Sequence, residues 1–296
     1  MKKLIILLGT LGVSFSAIFA RNASAPSMVL VFYRVFFASL MLFPFVIIYF
    51  RSEIKNLTLK SLFLPMISGA FLGLHFTMYF EALKLTSIAS SLVLVDTEVF
   101  FVAAFMVVVL KEKISAKGWI GIIATFAGSA TVAIADLGSG SSMLMGDLMA
   151  LTSAAFVAVH TLIGRHCRKT ITTTVYTFLV YSAAAGTLFI LIMLSGIPMV
   201  GYETKNYWIA FGLAALCTLC GHSVYSWGLK YEKASFISTA KLLEPVFASI
   251  LGLFIFAEIP PSFVVAGGLV IIFGVFYYSR NSVTDGNSYE RKVSPL

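Results

Sequence analysis

Long apolar runs, separated by short polar segments, follow one another along the whole chain. An α-helix rises about 1.5 Å per residue and needs about 20 apolar residues to cross a hydrocarbon core about 30 Å thick. The runs have about this length, so the pattern predicts an all-α membrane protein with ten transmembrane helices. The predicted spans are Leu4–Ala20, Met28–Phe50, Leu62–Leu83, Ser87–Leu110, Lys117–Ile134, Leu148–Gly164, Ile171–Leu194, Tyr207–Leu229, Ala234–Ala257 and Pro261–Ser279.

Composition and charge support this prediction. Hydrophobic residues make up 59% of the chain and charged residues 11%, against roughly 45–50% and about 25% in soluble domains. Sixteen of the 21 basic residues fall in loops on one predicted side, and three, Arg21, Lys84 and Lys205, fall on the other. The positive-inside rule therefore predicts a multi-pass protein of the cell membrane with both termini cytoplasmic. The net charge of +8 is then topological, and no nucleic-acid partner is expected.

The two halves of the chain are related by a shift of 146 residues. This shift aligns Gly69–Gly128 with Ala215–Gly274 and brings Glu98 opposite Glu244. Five spans per half is an odd number, so the second half would be upside down relative to the first. Such inverted-topology repeats bind solute near the membrane midplane. We predict a first repeat over residues 1–136, an extracytoplasmic linker over 137–146, a second repeat over 147–280 and a polar cytoplasmic tail over 281–296.

Glu98 and Glu244 fall near the middle of the fourth and ninth predicted spans. An ionised carboxylate at the bilayer centre costs roughly 2.5–3.5 kcal/mol, so each should face a cavity or a partner. For Glu244 two interpretations are open: solute or proton binding, or a structural ion pair with Lys241 one turn earlier. Glu98 has no basic residue three or four positions away, which favours a solute or proton role. Asp96 lies about 200° from Glu98 around a regular helix, so the two should face different ways.

Three histidines, His75, His160 and His222, lie inside predicted spans. Each could titrate near neutral pH, bind a solute or relay a proton, or form a hydrogen bond to a neighbouring helix. His75 and Tyr79 are four residues apart, and His222 and Tyr225 are three apart, so each pair lies on one stripe of its helix. Polar tips beside aromatic walls are typical of solute cavities.

Other side chains leave two interpretations each. Arg34 either extends outward to the membrane surface or binds an acidic group of a solute. Trp227 is a cavity or an interface aromatic, and the second is favoured. Cys217 and Cys220 have a C-x-x-C spacing, but their apolar helix favours thiols packed between helices over a metal or redox site.

The chain resembles the EamA-type members of the drug/metabolite transporter superfamily. The resemblance lies in residues 146–151, 154–156 and 165 at the start of the second repeat, in residues 243–248 and 258 around the ninth span, and in residues 14–18, 26 and 33–34 of the first hairpin. It implies ten helices, cytoplasmic termini and a cavity lined mainly by helices one, three, four, six, eight and nine. Pro245 follows Glu244 but Val99 follows Glu98, so a proline kink carries over only to the second half.

The motifs HExxH, GxSxG and GxxxxGK[ST] do not occur, so we expect no enzymatic activity, no cofactor, no metal and no ATP-binding site. The predicted function is secondary active transport of a small polar organic solute by alternating access, coupled to protons or to exchange. The resemblance implies an amino acid or related metabolite, and the carboxylates with one lysine favour a zwitterion or a cation. The alternatives are a non-transporting membrane scaffold, and an intramembrane enzyme using a histidine or Asp96 with Glu98. Oligomeric state and direction of transport stay open.

Overall fold

The computed structural model describes residues 1–85, 91, 94–111, 113–136, 144–256 and 262–281. Within these ranges the regular elements are helices, so the predicted all-α class is confirmed. The elements are α1 (Lys2–Arg21), α2 (Ser27–Tyr49), α3 (Arg51–Asn56), α4 (Leu59–Leu85), α5 (Glu98–Val108), α6 (Ala116–Asp136), α7 (Leu144–Cys167), α8 (Thr173–Ser195), α9 (Thr204–Gly212), a π-helix (Leu213–His222), α10 (Ser223–Gly228), α11 (Ala234–Lys241), α12 (Glu244–Phe256) and α13 (Ser262–Asn281).

Seven segments of the described chain are long and apolar enough to cross a membrane. They are Lys2–Ala20, Ser27–Tyr49, Leu59–Leu85, Leu144–Cys167, Thr173–Ser195, Thr204–Gly228 and Ala234–Ile255. Helices α6 and α13, of 21 and 20 residues, correspond to the predicted fifth and tenth spans. Part of the predicted fourth span lies outside the described residues, and the count of ten stays a prediction.

The distribution of side chains is apolar outside and polar inside. Large apolar side chains such as Ile48, Leu194 and Phe254 are 68%, 80% and 80% exposed, whereas Arg34 and Glu98 are 1% and 4% exposed. In water this arrangement would leave a broad apolar surface uncovered. In a bilayer it places the apolar side chains against lipid and the charged ones within the bundle.

Two predicted continuous spans are interrupted directly before a glutamate. Thr97 forms a turn, closed by a bond of 3.2 Å from its N–H to the carbonyl of Leu94, and α5 begins at Glu98. In the second half Leu242 and Leu243 form a turn between α11 and α12, which begins at Glu244. Each glutamate therefore lies in the first turn of a new helix, and Glu244 is still near the middle of the apolar segment Ala234–Ile255.

The interruption of the first half has no proline. Pro245 lacks an N–H for the preceding turn, which accounts for the break before α12. Val99 stands at the equivalent position in α5, so a proline accounts for the interruption only in the second half, and the turn in the first half was not predicted. The Thr97 hydroxyl donates to the carbonyl of Leu94 at 2.5 Å. This side-chain bond offers the backbone a local alternative to the regular helix.

Small residues allow the helices to approach closely. Helix α6 packs along α13, α4 packs on α7 and α8, and α1 packs on the π-helix and α12. A Cβ atom added to Gly128 of α6 would lie 2.7 Å from the carbonyl oxygen of Gly267 on α13. A Cβ at Gly69 of α4 would meet the Val180 backbone of α8. Small residues are typical of such close helix–helix contacts in membranes.

The predicted boundary between the halves stays a prediction. Helix α7 begins at Leu144, three residues before the start of the predicted second repeat. Residues 137–143 of the predicted linker and 282–296 of the predicted tail lie outside the described residues.

Candidate polar cavity

A polar cavity of about 50 Å³ lies at the centre of the bundle, beside both helix breaks. One water needs about 10–15 Å³ of such space, so the cavity accepts an organic solute only if its walls move. Nine of the predicted site residues line it: Arg34, His75, Tyr79, Asp96, Glu98, His222, Tyr225, Lys241 and Glu244. Ser16, Phe76 and Ser238 also line it, and the sequence analysis did not select them.

Asp96 and Glu98 both line the cavity, so the prediction that they face different ways is wrong. The angle of about 200° between positions two apart holds only for a regular helix. Thr97 stands between the two acids and forms the turn that precedes α5. The interruption brings both acids to the same space.

The carboxylate of Glu98 is held by three donors. Thr161 of α7 and Ser238 of α11 donate to Oε1 at 2.8 and 3.0 Å. Lys241 of α11 donates to Oε1 at 2.9 Å and to Oε2 at 2.8 Å. This is a buried ion pair, since the side chains of Lys241 and Glu98 are 13% and 6% exposed. It joins the first half of the chain to the second.

The carboxylate of Glu244 has different surroundings. Its backbone carbonyl accepts a bond of 3.3 Å from Ser14, but no hydrogen bond or ion pair to its side chain is found among the described residues. Of the two interpretations left open for Glu244, the ion pair with Lys241 is not found among the described residues. The helix ends at Lys241 and restarts at Glu244, and the lysine extends to Glu98 instead.

The guanidinium of Arg34 faces the cavity and not the membrane surface, so the expectation that it extends outward is wrong. Its Nε donates to Thr218 Oγ1 at 2.8 Å and its Nη1 to Ser16 Oγ at 3.3 Å. The guanidinium carbon lies 4.0 Å from the centre of the Phe76 ring, a cation–π arrangement. Nη2 is buried without a hydrogen-bond partner in the described residues. One cationic donor is therefore available to an acidic group.

Two histidines join α4 to α7 through reciprocal bonds. His75 Nδ1 lies 2.8 Å from Ser153 Oγ and 3.1 Å from the Ser153 carbonyl oxygen. His160 Nδ1 lies 2.9 Å from Ser68 Oγ and 3.2 Å from the Ser68 carbonyl oxygen. A carbonyl only accepts, so each Nδ1 carries a proton. His75 lines the cavity, while the lining residues do not include His160.

Both His/Tyr stripes line the cavity. The rings of His75 and Tyr79 are nearly parallel, with centroids 6.3 Å apart. The ring of His222 meets Phe76 edge-on at 5.0 Å and Tyr225 at 5.8 Å. Trp227 is not among the lining residues, and its ring lies 4.9 Å from that of Tyr231.

The π-helix was not predicted. In it Thr218 Oγ1 donates to the carbonyl of Leu213, five residues earlier, at 3.1 Å. The same hydroxyl accepts the bond from Arg34, and His222 ends the element. Such elements often occur at functional sites, but the apolar run from 213 to 221 carries no signal that separates it from an ordinary span.

The C-x-x-C pair is split between two environments. Cys217 is buried and Cys220 is exposed, and both thiols are free, as is that of Cys167. In the described residues no group of three His, Cys, Asp or Glu side chains is arranged to hold a metal ion.

At the ends of the bundle, burial shifts the pKa values of two charged groups, the Arg168 guanidinium and the Glu232 carboxyl. Arg168 follows α7 and donates to the carbonyl of Ser226 at 3.1 Å and to the carbonyl of Ile171. Burial lowers the pKa of its guanidinium, with partial compensation from nearby tyrosines and Glu53. Burial raises the pKa of the Glu232 carboxyl, against the lowering effect of Lys3 and Lys2.

Comparison with known proteins gives a family and a fold. The model of the EamA-like transporter family matches residues 2–134 and 144–280. An uncharacterized transporter of Archaeoglobus fulgidus is 26% identical over 259 residues, which cover 83% of this chain and 86% of that protein. The pseudopaline exporter CntI of Pseudomonas aeruginosa is 24% identical over 265 residues, 88% of each chain. A protein of known crystal structure has the same fold, with a TM-score of 0.76 at 17% identity over 93% of this chain and 95% of that one.

Proposed function

The chain belongs to the EamA-like transporter family of the drug/metabolite transporter superfamily, and from this premise we propose that it is a secondary active transporter of a zwitterionic solute of amino-acid type. One observation carries the choice of solute: a cationic donor and a carboxylate face one cavity, and neither has a hydrogen-bond partner among the described residues. They are Arg34 Nη2 and the side chain of Glu244. A solute with a carboxylate and an ammonium group would complete both.

The cavity charges outside this pair favour a zwitterion over a simple cation or anion. Lys241 and Glu98 already neutralise each other, and Asp96, the other acid on the cavity wall, also has an interaction partner. A solute bearing only a carboxylate would leave the Glu244 carboxylate without a partner, and an amine alone would leave Arg34 Nη2 without one. A buried charge left unpaired is costly. Charge complementarity therefore selects a solute with both groups.

Alternating access is supported by the size of the cavity and by the contacts of the helices. About 50 Å³ is far below the roughly 300–1,000 Å³ of ordinary ligand pockets, so binding and release require a more open form. When each helix of one half is matched with its counterpart in the other, the contact of α4 with α7 corresponds to the contact of the π-helix with α1. The contacts of α2 with α8 and of α6 with α13 each join a helix to its own counterpart. This pattern supports two inverted five-helix repeats that rock against each other.

The Glu98–Lys241 ion pair would break and re-form in that motion, because its partners belong to different halves. Glu244, at the start of a discontinuous helix, is the proposed site of proton or ammonium binding. Both termini are proposed to lie in the cytoplasm of a cell-membrane protein. A reporter that is active only in the cytoplasm, fused to the C-terminus, would test this topology, and an inactive reporter on a well-expressed fusion would contradict it.

The first experiment measures the melting temperature of the purified protein with amino acids, matched amines and matched carboxylic acids. A solute that binds only the folded protein raises this temperature by mass action. We expect a shift with one or more amino acids and little with the corresponding amine or acid. If no solute produces a shift, and none is taken up by vesicles that contain the protein, the scaffold hypothesis replaces this proposal.

The second experiment assigns the carboxylate. Glu244→Gln should reduce uptake of the identified solute into proteoliposomes at least tenfold, while the melting temperature without solute changes little. Glu203→Gln, which removes a charge from an exposed position before α9, is the matched control and should transport within about twofold of the parent. Equal uptake by the Glu244→Gln variant and the parent would remove Glu244 from the solute site.

A further inference from the structure

A second cavity, of about 540 Å³, is separate from the polar cavity. We call it the lateral groove, and it is formed by α4, α5 with the residues that follow it, and α7. Its lining residues are Leu64, Phe105, Leu110, Val159, Leu162, Ile163, Arg165, His166 and Lys169. The polar cavity has none of these among its lining residues, so the groove is not a part of the proposed solute site. Its volume lies within the roughly 300–1,000 Å³ of ligand pockets.

The walls of the lateral groove are apolar and open to the outside of the bundle. Phe105 and Leu110 are 39% and 45% exposed, while Leu162 and Ile163 form the floor on α7. In a bilayer this surface faces hydrocarbon, and an acyl chain is the occupant that matches it. Burial of its methylene groups against these side chains would favour binding.

One end of the lateral groove is basic. Arg165, His166 and Lys169 lie at the end of α7 and just beyond it, and no acidic residue is found in the lining as far as the chain is described. The His166 and Lys169 side chains are exposed, and Lys111, also exposed, directly follows Leu110 on the opposite wall. This arrangement is complementary to a phosphate group and unfavourable for the ammonium of a zwitterionic headgroup.

We propose that the lateral groove binds one anionic phospholipid, with the headgroup phosphate at His166 and Lys169 and one acyl chain along Phe105 and Leu162. The basic end adjoins the apolar walls, so one lipid can place its headgroup at the basic end and an acyl chain along the walls. A Lys or Arg near an anionic headgroup strengthens binding about fivefold. The site would therefore select phosphatidylglycerol over phosphatidylcholine.

The test is native mass spectrometry of the purified protein in micelles containing equimolar phosphatidylglycerol and phosphatidylcholine of the same chain length. The parent should retain one phosphatidylglycerol at least fivefold more often than phosphatidylcholine. Lys169→Glu should reduce retention of phosphatidylglycerol about tenfold or more. Leu162→Trp, which fills the groove, should reduce retention of both lipids.

The matched control is Lys55→Glu, the same charge reversal at an exposed position of α3 away from the groove. It should change retention by less than twofold. Equal retention of the two lipids by the parent would overturn the proposal. So would an equal loss in the Lys55→Glu and Lys169→Glu variants, because the preference would then be a property of the whole charged surface. Neither result depends on whether the protein transports an amino acid.

Discussion

Glu98 and Glu244 occupy equivalent positions after the helix breaks of the two halves, but their surroundings differ. Glu98 accepts bonds from Thr161, Ser238 and Lys241, whereas no hydrogen bond or ion pair to the Glu244 side chain is found in the described chain. The two sides of the polar cavity can accordingly be called the fixed side, around Glu98, and the free side, around Glu244.

The difference follows from the residues that the repeat does not preserve. With the shift of 146 residues, the equivalent of Lys241 is Val95 and the equivalent of Ser238 is Leu92. The second half thus supplies donors to the glutamate of the first, and the aligned positions of the first half hold apolar residues in the sequence. On the proposed function, these unequal residues would give the Glu98 carboxylate a structural role and leave the Glu244 carboxylate for the solute. The proposed repeat symmetry would then not extend to the chemistry of the site.

The largest expected effect comes from breaking the fixed side. Lys241→Met removes the cation and leaves Glu98 buried with hydroxyl donors only. Loss of one member of a buried ion pair costs about 3–5 kcal/mol, so the free energy of unfolding in detergent should fall by about that amount. The measurement is equilibrium unfolding followed by circular dichroism.

The control for that change is the double variant Lys241→Met with Glu98→Gln, which removes both charges and should recover most of the lost stability. If the double variant is as unstable as Lys241→Met alone, the loss comes from packing. The comparison between the fixed and free sides would then have no electrostatic basis.

A lysine introduced on the free side should give Glu244 an ion-pair partner, as Lys241 does for Glu98 on the fixed side. Val95→Lys places an ammonium at the repeat equivalent of Lys241, on the cavity wall, where it can pair with Glu244. Affinity for a zwitterionic solute should fall at least tenfold, which is about 1.4 kcal/mol, measured from the solute-dependent melting temperature. Val95→Met has similar length without charge and should keep most of the affinity. An equal loss in both variants would make the effect steric.

The helices and the polar residues of the cavity could be predicted from the sequence, but the pairs that those polar residues form could not. Hydropathy identified the spans around His75 and His222 because burial in lipid requires long apolar runs. It could not place the break before Glu98, where Val99 stands in place of the proline of the second half. The pairing of Lys241 with Glu98 joins residues 143 apart, and an argument from helical neighbours finds only Glu244.

The hydroxyl partners were beyond sequence reasoning for a similar reason. Ser153 and Thr161 lie on a span with many other small residues, and nothing local distinguishes those that face a histidine or a glutamate. The π-helix around Thr218 contacts Arg34 and α1, partners that lie about 200 residues away in the sequence and give no local signal. Sequence reasoning therefore selected the charged and aromatic lining of the cavity and missed the groups that orient it.

A smaller effect is expected where the fixed side is joined to α4. Ser153 bonds both Nδ1 and the carbonyl of His75, and α7 also carries Thr161, a donor to Glu98. Ser153→Ala should lower the free energy of unfolding by about 1–2 kcal/mol and also weaken solute binding, because the His75 ring loses its orientation. Ser68→Ala, at the matching bond to His160 away from the cavity, should lower stability alone. Equal effects of both variants on binding would show that His75 has no positioning role.

The smallest effect is expected at a carboxylate outside the cavity and outside the membrane-spanning segments. Burial raises the pKa of Glu232, and Lys3 and Lys2 oppose this effect, so the folded protein holds that proton more tightly than the unfolded chain does. The stabilisation is complete below the unfolded pKa of about 4.3 and is lost as the pH rises through the folded pKa. Glu232→Gln imitates the protonated form, and should raise the melting temperature slightly at pH 7 and leave it unchanged at pH 4. A lower melting temperature of the variant at pH 7 would mean that the attraction of Glu232 to the lysines exceeds the cost of burying its charge. Glu232 would then resemble Glu98, whose charge is paired.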